Sequence, residues 1–199
     1  MHLSVAASTD VGMVRSGNED NFFAEADESH GVFIVADGMG GHAAGEVASE
    51  MAVQIIARHL LAVASVLDPD AVARMESAMH EANRAIYERM LTEPDKQGMG
   101  TTASVLLLSD DRFLVGQIGD SRIYLLRSGT LRQITKDHSY VQEQVDAGLL
   151  TPEQARVHPY SNVITRCVGA SPNVAVDIDR KSTRLNSSHI PLSRMPSSA

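Results

Sequence analysis

A short apolar run that ends at an acidic residue constrains this chain more than any other feature. Residues 32–36 read V-F-I-V-A, and Asp37 follows at once, with glycines at 38, 40 and 41. Such a run is typical of a strand buried on both faces, and the glycines allow a sharp turn and the close approach of a ligand. The pattern predicts a rigidly held carboxylate suited to a cation. Taken alone, it fits a plain Asp-Gly turn between a strand and a helix equally well.

The hydrophobic periodicity around this run predicts an α+β domain. Short β-type runs lie at 3–8, 21–25, 101–108, 113–118, 122–127, 131–135 and 173–178. Between the early and late strands, apolar residues recur at helical spacing over 48–63 and 72–90, with Asp68 as a predicted N-cap and Pro69 after it. Two short helices are predicted at 139–147 and 151–157. Strands, a helix pair and further strands indicate layers of sheet and helix rather than a βαβ repeat.

The order of these elements brings acidic residues together. The strand at 21–25 is expected to lie beside the strand at 32–36, which places Glu19 and Asp20 at the same sheet edge as Asp37. The methionines of the second helix are expected to fill the core rather than bind a ligand.

Charge and cysteine content exclude several classes of function. The 199 residues carry a net charge of −8, which disfavours nucleic acid and anionic membranes as general partners. Cys167 is the only cysteine, so neither an intrachain disulfide nor a thiolate zinc cluster can form. The sequence contains no secretory leader and no apolar run of membrane-spanning length. A soluble, cytoplasmic, monomeric protein is expected.

The last residues differ in character from the rest. Residues 181–199 contain no acidic residue and are rich in Ser, with two of the seven prolines of the chain. They resemble translated adapter sequence, and such a patternless polar segment is not expected to fold. We therefore predict a domain over residues 1–179 and a disordered, non-native tail over 180–199, with the native C-terminus missing.

The acidic residues suit the chemistry of hard cations. Mg²⁺ and Mn²⁺ prefer carboxylate, carbonyl and water oxygens. Two such ions can clamp a phosphoryl group and activate water, so that no side-chain nucleophile is needed. An arginine beside them can hold the phosphate with two hydrogen bonds.

An ordered set of motifs resembles the bacterial branch of the metal-dependent type 2C protein Ser/Thr phosphatases, the PPM family. The motifs are Arg15 with N-E-D at 18–20, V-A-D-G-M-G-G-H at 35–42, G-M-G-T-T-A at 98–103, G-D-S-R-I-Y at 119–124, D-H-S at 137–139 and V-I-T-R-C-V-G at 163–169. Any one of them is a weak signal, whereas their order and spacing together are specific. The resemblance implies a four-layer α-β-β-α sandwich, incomplete at the C-terminus.

The resemblance also implies roles for particular residues. Asp37 would bridge two catalytic Mn²⁺ or Mg²⁺ ions, and the Gly38 carbonyl would ligate one of them. Glu19 and Asp20 would act mainly through metal-bound waters, and Arg15 would grip the substrate phosphate.

Further family features lie later in the chain. Asp120 would bind a third, weaker metal, and residues 139–165 would form a flap beside the active site. Thr101 and Thr102 are expected to hydrogen-bond within the sheet, and the other histidines, His138 among them, to have no ligand role. Two departures stand out: Met39 occupies a position where many eukaryotic relatives have a histidine, and the family's later acidic motifs do not follow Ile178.

The implied activity is hydrolysis of phosphoserine and phosphothreonine on proteins, opposing a bacterial Ser/Thr kinase and impaired by the missing acids. Two alternatives remain open from the sequence. One is a non-catalytic pseudophosphatase that binds phosphoproteins, and the other is a hydrolase of small phosphoesters.

Overall fold

The chain forms two antiparallel sheets, one of which carries a pair of long helices. The computed structural model describes residues 3–13, 17–182 and 192–193. In chain order the elements are β1 (Asp20–Ala26), β2 (His30–Met39), α1 (His42–Leu60), α2 (Ala71–Thr92), a 3₁₀ turn (Pro94–Lys96), β3 (Gly100–Thr101), β4 (Ala103–Ser109), β5 (Arg112–Ile118), β6 (Arg122–Arg127), β7 (Thr130–Gln133), α3 (Tyr140–Asp146), α4 (Pro152–Arg156), β8 (Asp177–Ser182) and β9 (Leu192–Ser193).

The larger sheet has the order β1-β2-β4-β5-β8, and the short strand β3 pairs with the end of β2. The smaller sheet has the order β7-β6-β9. Helices α1 and α2 cover one face of the larger sheet, where Ile34, Val105 and Leu114 meet Ile56 and Met79 in one buried cluster. Three of the layers expected of the sandwich, the helix pair and the two sheets, are therefore present in the described residues.

A second buried cluster joins the other face of the larger sheet to β6. It contains Leu106, Phe113, Val115 and Ile123, all at most 4% exposed. β4 is buried along its whole length, and its residues 105–108 are apolar without alternation, as expected for a central strand covered on both faces.

The structure confirms most of the predicted helices and strands. The methionines of α2 lie in the core as predicted: a Cβ added at Gly116 of β5 would lie only 2.7 Å from Met79 Sδ and 2.9 Å from Met75 Sδ. At α4, Thr151 and Gln154 form a reciprocal capping box. None of the described helices is long and apolar enough to cross a membrane.

One predicted strand is absent, and one predicted helix begins later than expected. Residues 3–8 form no strand, because residues 4–13 are exposed and no ladder partner for them lies in the described part of the chain. Helix α2 begins at Ala71 rather than beside Pro69. The Asp68 carboxylate accepts the Ser65 amide at 3.1 Å, so it closes the preceding turn instead of capping the helix.

The strand predicted at 173–178 also lies later than the sequence predicts. It covers Asp177–Ser182 instead of 173–178 and so crosses the predicted domain boundary at residue 179. Residues 180–182 of the predicted tail belong to this strand, and Leu192–Ser193 pair with β6; residues 183–191 and 194–199 lie outside the described residues.

Candidate active site

The predicted convergence of acidic residues at one sheet edge is confirmed. In the β1–β2 ladder, Asp20 lies directly opposite Asp37. The Gly38 amide donates to the Glu19 carbonyl at 3.1 Å, which continues the pairing beyond the strand end. Glu19, Asp20, Asp37 and the Gly38 peptide therefore meet where β2 leaves the sheet.

Gly38 must be a glycine because the start of α1 passes very close to it. A Cβ at this position would lie 2.1 Å from the Gly45 carbonyl oxygen and 2.6 Å from that of Glu19. Gly45 in turn faces the Glu19 side chain, since a Cβ there would lie 2.4 Å from Glu19 Oε2. The two glycines let a helix, a strand end and an acidic side chain share one small volume.

Side chains from α1 and β1 fix the position of Glu19. Ser49 Oγ donates to the Glu19 carbonyl at 2.6 Å, and Asn21 Nδ2 donates to Ser49 Oγ at 2.9 Å. Ser49 is fully buried. No motif points to Ser49; its only signal in the sequence is a polar residue at a position of α1 that helical periodicity assigns to the core.

Two threonines hold the backbone of Asp37, in agreement with the role expected of them. Asp37 N–H donates to Thr102 Oγ1 at 2.9 Å, while the Asp37 carbonyl accepts from the Thr102 amide and from Thr101 Oγ1, each at 3.0 Å. Thr102 lies in the one-residue break between β3 and β4. Both threonines are fully buried.

The same Thr102 hydroxyl connects Asp37 to the turn that contains Asp120. Thr102 Oγ1 lies 2.6 Å from Ser121 Oγ. Gln117 Nε2 donates to the carbonyls of Gly119, at 3.0 Å, and Ser121, at 2.6 Å. Asp120 is thus carried by a turn, residues 119–121, that a buried side-chain network ties to the Asp37 backbone; we call it the Asp120 turn.

A buried ion pair supports this turn from its C-terminal side. The Arg122 guanidinium contacts the Asp137 carboxylate through both Nε and Nη2. Burial lowers the pKa of Arg122, but the hydrogen bond and charge of Asp137 outweigh this effect and raise the pKa above its usual range. Arg122 therefore stays charged under all ordinary conditions.

The predicted flap begins and ends beside the Asp120 turn. Ser139 and Ile164 form an isolated bridge at its base, and Thr165 N–H donates to the His138 carbonyl at 2.9 Å. Within the flap, Tyr140 and Tyr160 lie with ring centroids 5.8 Å apart, and His158 packs against both. The flap exposes Leu149 and Val157, at 69% and 83%.

The donor set at the strand end fits a hard divalent cation but supplies only part of its coordination. It consists of carboxylate and backbone carbonyl oxygens, the ligands that Mg²⁺ and Mn²⁺ prefer. In the part of the chain that the structure describes, no three His, Cys, Asp or Glu side chains are grouped so that they could hold a metal ion. Arg15, the predicted phosphate ligand, lies outside the described residues.

Comparison with known proteins shows the family of the chain. A family model described as Protein phosphatase 2C matches residues 14–174. The chain is 43% identical over 171 residues to the serine/threonine protein phosphatase PstP of Mycobacterium tuberculosis, covering 83% of this chain and 31% of that protein. It is 39% identical to the serine/threonine phosphatase stp of Listeria welshimeri, covering 85% of this chain and 68% of that one. The chain thus spans under a third of the mycobacterial relative.

A solved structure gives the same result for the fold. The catalytic domain of PstP in complex with two manganese ions superposes with a TM-score of 0.72 at 39% identity, covering 88% of this chain and 71% of that one. The family match includes the strand-end acids, the Asp120 turn and the flap. The chain belongs to the protein phosphatase 2C family.

Proposed function

We propose that this chain carries the bridging half of a two-metal protein Ser/Thr phosphatase site. The observation that supports this most directly is the register of β1 and β2, which sets Asp20 opposite Asp37 with the Gly38 carbonyl beside them. The names of the relatives support hydrolysis of phosphoserine and phosphothreonine on proteins.

In this proposal Asp37 and the Gly38 carbonyl hold Mn²⁺ or Mg²⁺ directly, and Glu19 and Asp20 hold it mainly through water. The bound ions supply Lewis acidity and activate the attacking water. Arg15 orients the phosphate, and Asp120 contributes to a third, weaker metal site. Pairing of β1, β2 and β3, together with the Thr101 and Thr102 hydrogen bonds, keeps the Asp37 backbone from moving when the substrate binds.

The proposed partners are phosphorylated proteins in the cytoplasm, modified by a bacterial Ser/Thr kinase and bound by a monomer. Activity of this chain alone is proposed to be low, because no three acidic or other ligating side chains are grouped to hold a metal ion among the described residues. The same observation favours one second candidate, a phosphoprotein-binding module without turnover.

The test is Mn²⁺-dependent release of phosphate from a phosphothreonine peptide. Two proteins are compared: this chain, and a chimera in which the residues beyond 182 are replaced by the corresponding segment of the Listeria relative. Each is prepared with Asp37→Asn and with Asp111→Asn. Asp111 is an exposed acid in the β4–β5 turn, at the opposite end of the sheet, and serves as the matched control.

Activity of the chimera that Asp37→Asn abolishes and Asp111→Asn leaves unchanged supports the proposed function. A folded chimera that binds Mn²⁺ and phosphopeptide but releases no phosphate contradicts it and favours the binding module. Faster turnover of a small aryl phosphate than of the peptide would instead indicate a small-phosphoester hydrolase.

A further inference from the structure

The imidazole of His138 lies where three segments meet: the Asp120 turn, the base of the flap and strand β8. It is 5% exposed. Its Nδ1 accepts the Gly119 amide at 3.0 Å, and its Nε2 lies 3.0 Å from Asp177 Oδ2. A histidine that makes hydrogen bonds through both nitrogens, this close to a predicted metal ligand, is not filling space alone.

The two contacts fix where the imidazole carries its proton. A backbone N–H can only donate, so the Nδ1 atom that faces Gly119 must be unprotonated. The neutral ring then carries its proton on Nε2 and donates it to Asp177. Arg166 Nη1 is 3.1 Å from the same nitrogen, but its own donors are used by Asp177 Oδ1, at 2.7 Å, and by the Ala175 carbonyl, at 3.3 Å.

Residue 138 also holds Gly119 through its backbone. His138 N–H donates to the Gly119 carbonyl at 2.9 Å, so both the amide and the carbonyl of Gly119 are bound by the same residue. Gly119 has a φ of 100°, in the left-handed region that favours glycine, and a Cβ there would lie 2.6 Å from Thr102 Cγ2. The turn therefore requires a glycine at position 119, and residue 138 contacts that glycine from both its side chain and its backbone.

We propose that His138 is a positioning residue that sets the location of the Asp120 carboxylate through Gly119. The imidazole holds the N-terminal side of the Asp120 turn, while Thr102 and Gln117 hold its C-terminal side through Ser121. The inference rests on the proposed function, because it takes Asp120 to be a metal ligand. It also gives a role to the D-H-S motif at 137–139, in which Asp137 pairs with Arg122 on the far side of the same turn.

Asp177 and Arg166 keep the ring in this orientation. Partial burial raises the pKa of Asp177, but hydrogen bonds from His138 and Arg166 outweigh that effect and lower it overall. Asp177 is therefore ionised at neutral pH and accepts from both neighbours. The first residue of β8 thus acts on the Asp120 turn through His138.

Two nearly isosteric substitutions separate the two ring nitrogens. In His138→Asn, the amide oxygen can occupy the place of Nδ1 and accept the Gly119 amide, but the donor to Asp177 is lost. In His138→Gln, the amide nitrogen can reach the place of Nε2 and donate to Asp177, but no acceptor faces Gly119. If the inference is correct, only the second substitution releases the turn.

The experiment measures Mn²⁺ binding by titration calorimetry and hydrogen exchange at the Gly119 amide in this chain. The Asp120-dependent part of Mn²⁺ binding is defined as the part that Asp120→Asn removes. We expect His138→Gln to raise the dissociation constant of that part about 10- to 100-fold, as is common for groups that orient a ligand, and to speed Gly119 exchange. His138→Asn should leave both Mn²⁺ affinity and Gly119 exchange close to the wild-type values. In the background of Asp120→Asn, His138→Gln should cause no further loss of Mn²⁺ binding.

The inference is overturned if both substitutions weaken Asp120-dependent Mn²⁺ binding equally, or if neither weakens it. It is also overturned if Asp120→Asn removes no Mn²⁺ binding at all. If His138 only stabilised the fold, both His138→Asn and His138→Gln would lower the melting temperature, and the two variants would not differ in Mn²⁺ binding. None of these results bears on Asp37-dependent hydrolysis by the chimera, so failure of the inference is distinguishable from failure of the proposed function.

Discussion

The two aspartates proposed to bind metal, Asp37 and Asp120, each adjoin a glycine near the end of a strand, but the chain holds them by different means. Asp37 is fixed mainly by its own backbone, through the β1–β2 ladder and the close approach of α1 to Gly38. Asp120 sits on a turn whose support comes from the side chains of Thr102, Gln117 and His138. The first arrangement depends on strand pairing, whereas the second depends on buried hydrogen bonds between segments distant in sequence.

This difference predicts which substitutions damage which aspartate. Changes at Gln117, Asp137 or His138 should disturb the Asp120 turn and leave Asp37 in place, whereas Thr102 contacts both sites. Adding a side chain at Gly38 or Gly45, where α1 lies close to the strand end, should displace Asp37 and leave the Asp120 turn in place.

The largest effect is expected for Asp137→Ala. This substitution leaves the guanidinium of Arg122, which is only 20% exposed, without the carboxylate it now contacts. Removing one partner of a buried ion pair costs about 3 to 5 kcal/mol, and we expect about 3 here because Arg122 keeps some access to water. Urea unfolding measures the loss. Hydrogen exchange should speed up at residues 119–122 while the Gly38 amide stays protected.

The control is Glu81→Ala, which removes an ion pair with Arg58 and the 2.9 Å contact with His59 Nε2 on the surface of the helix pair. These contacts are solvated, so their loss should cost less than about 1 kcal/mol. Equal costs for the two substitutions would mean that burial adds nothing to the support of the turn.

Gly38→Ala should disturb the other aspartate. The new Cβ would have to push apart the Gly45 and Glu19 carbonyls, and forced overpacking of this kind costs about 1 to 3 kcal/mol. We expect a value near the upper end, with weaker Mn²⁺ binding at Asp37. The control is Gly17→Ala, because a Cβ at Gly17 would have no atom within 4 Å. Unchanged stability of Gly38→Ala would show that α1 can move away easily.

Thr102→Val tests the hydrogen bonds that connect the two aspartates. The change keeps the shape of the side chain but leaves the Asp37 amide without its 2.9 Å acceptor and Ser121 Oγ without its 2.6 Å partner. A buried donor left without an acceptor costs about 1 to 3 kcal/mol, and we expect about 2. Thr102→Ser retains the hydroxyl, so its free energy of unfolding should be close to that of the wild type. If Thr102→Ser is as unstable as Thr102→Val, packing rather than hydrogen bonding is responsible.

The contrast between the aspartates also explains what the sequence could predict. The site around Asp37 can be predicted from local sequence signals: an apolar run, an acid, glycines and a neighbouring strand. Strand pairing then sets Asp20 opposite Asp37. The Asp120 turn gave only a Gly-Asp-Ser signal, because Thr102 and His138 meet it through contacts 19 residues away in sequence. Periodicity predicts which face of an element is buried, but it does not pair polar side chains across a core. For the same reason the sequence pattern assigns no role to His138.

The smallest effect is expected for Asp177→Asn, which tests the outermost support of the Asp120 turn. The folded-state pKa of Asp177 is lowered, so its ionised form stabilises the fold above the unfolded value, near about 3.9, and that contribution is lost as the pH falls through the lower folded value. Its side chain is 53% exposed, so the contribution at neutral pH should be below about 1 kcal/mol. Urea unfolding of both proteins at neutral pH, and again at a pH below the lowered folded-state pKa of Asp177, should give a difference that disappears in acid. Glu28→Gln, an exposed acid in the β1–β2 turn, controls for the loss of one negative charge. A difference that persists in acid would show that the carboxylate acts by shape rather than charge, and the support of the Asp120 turn would then end at His138.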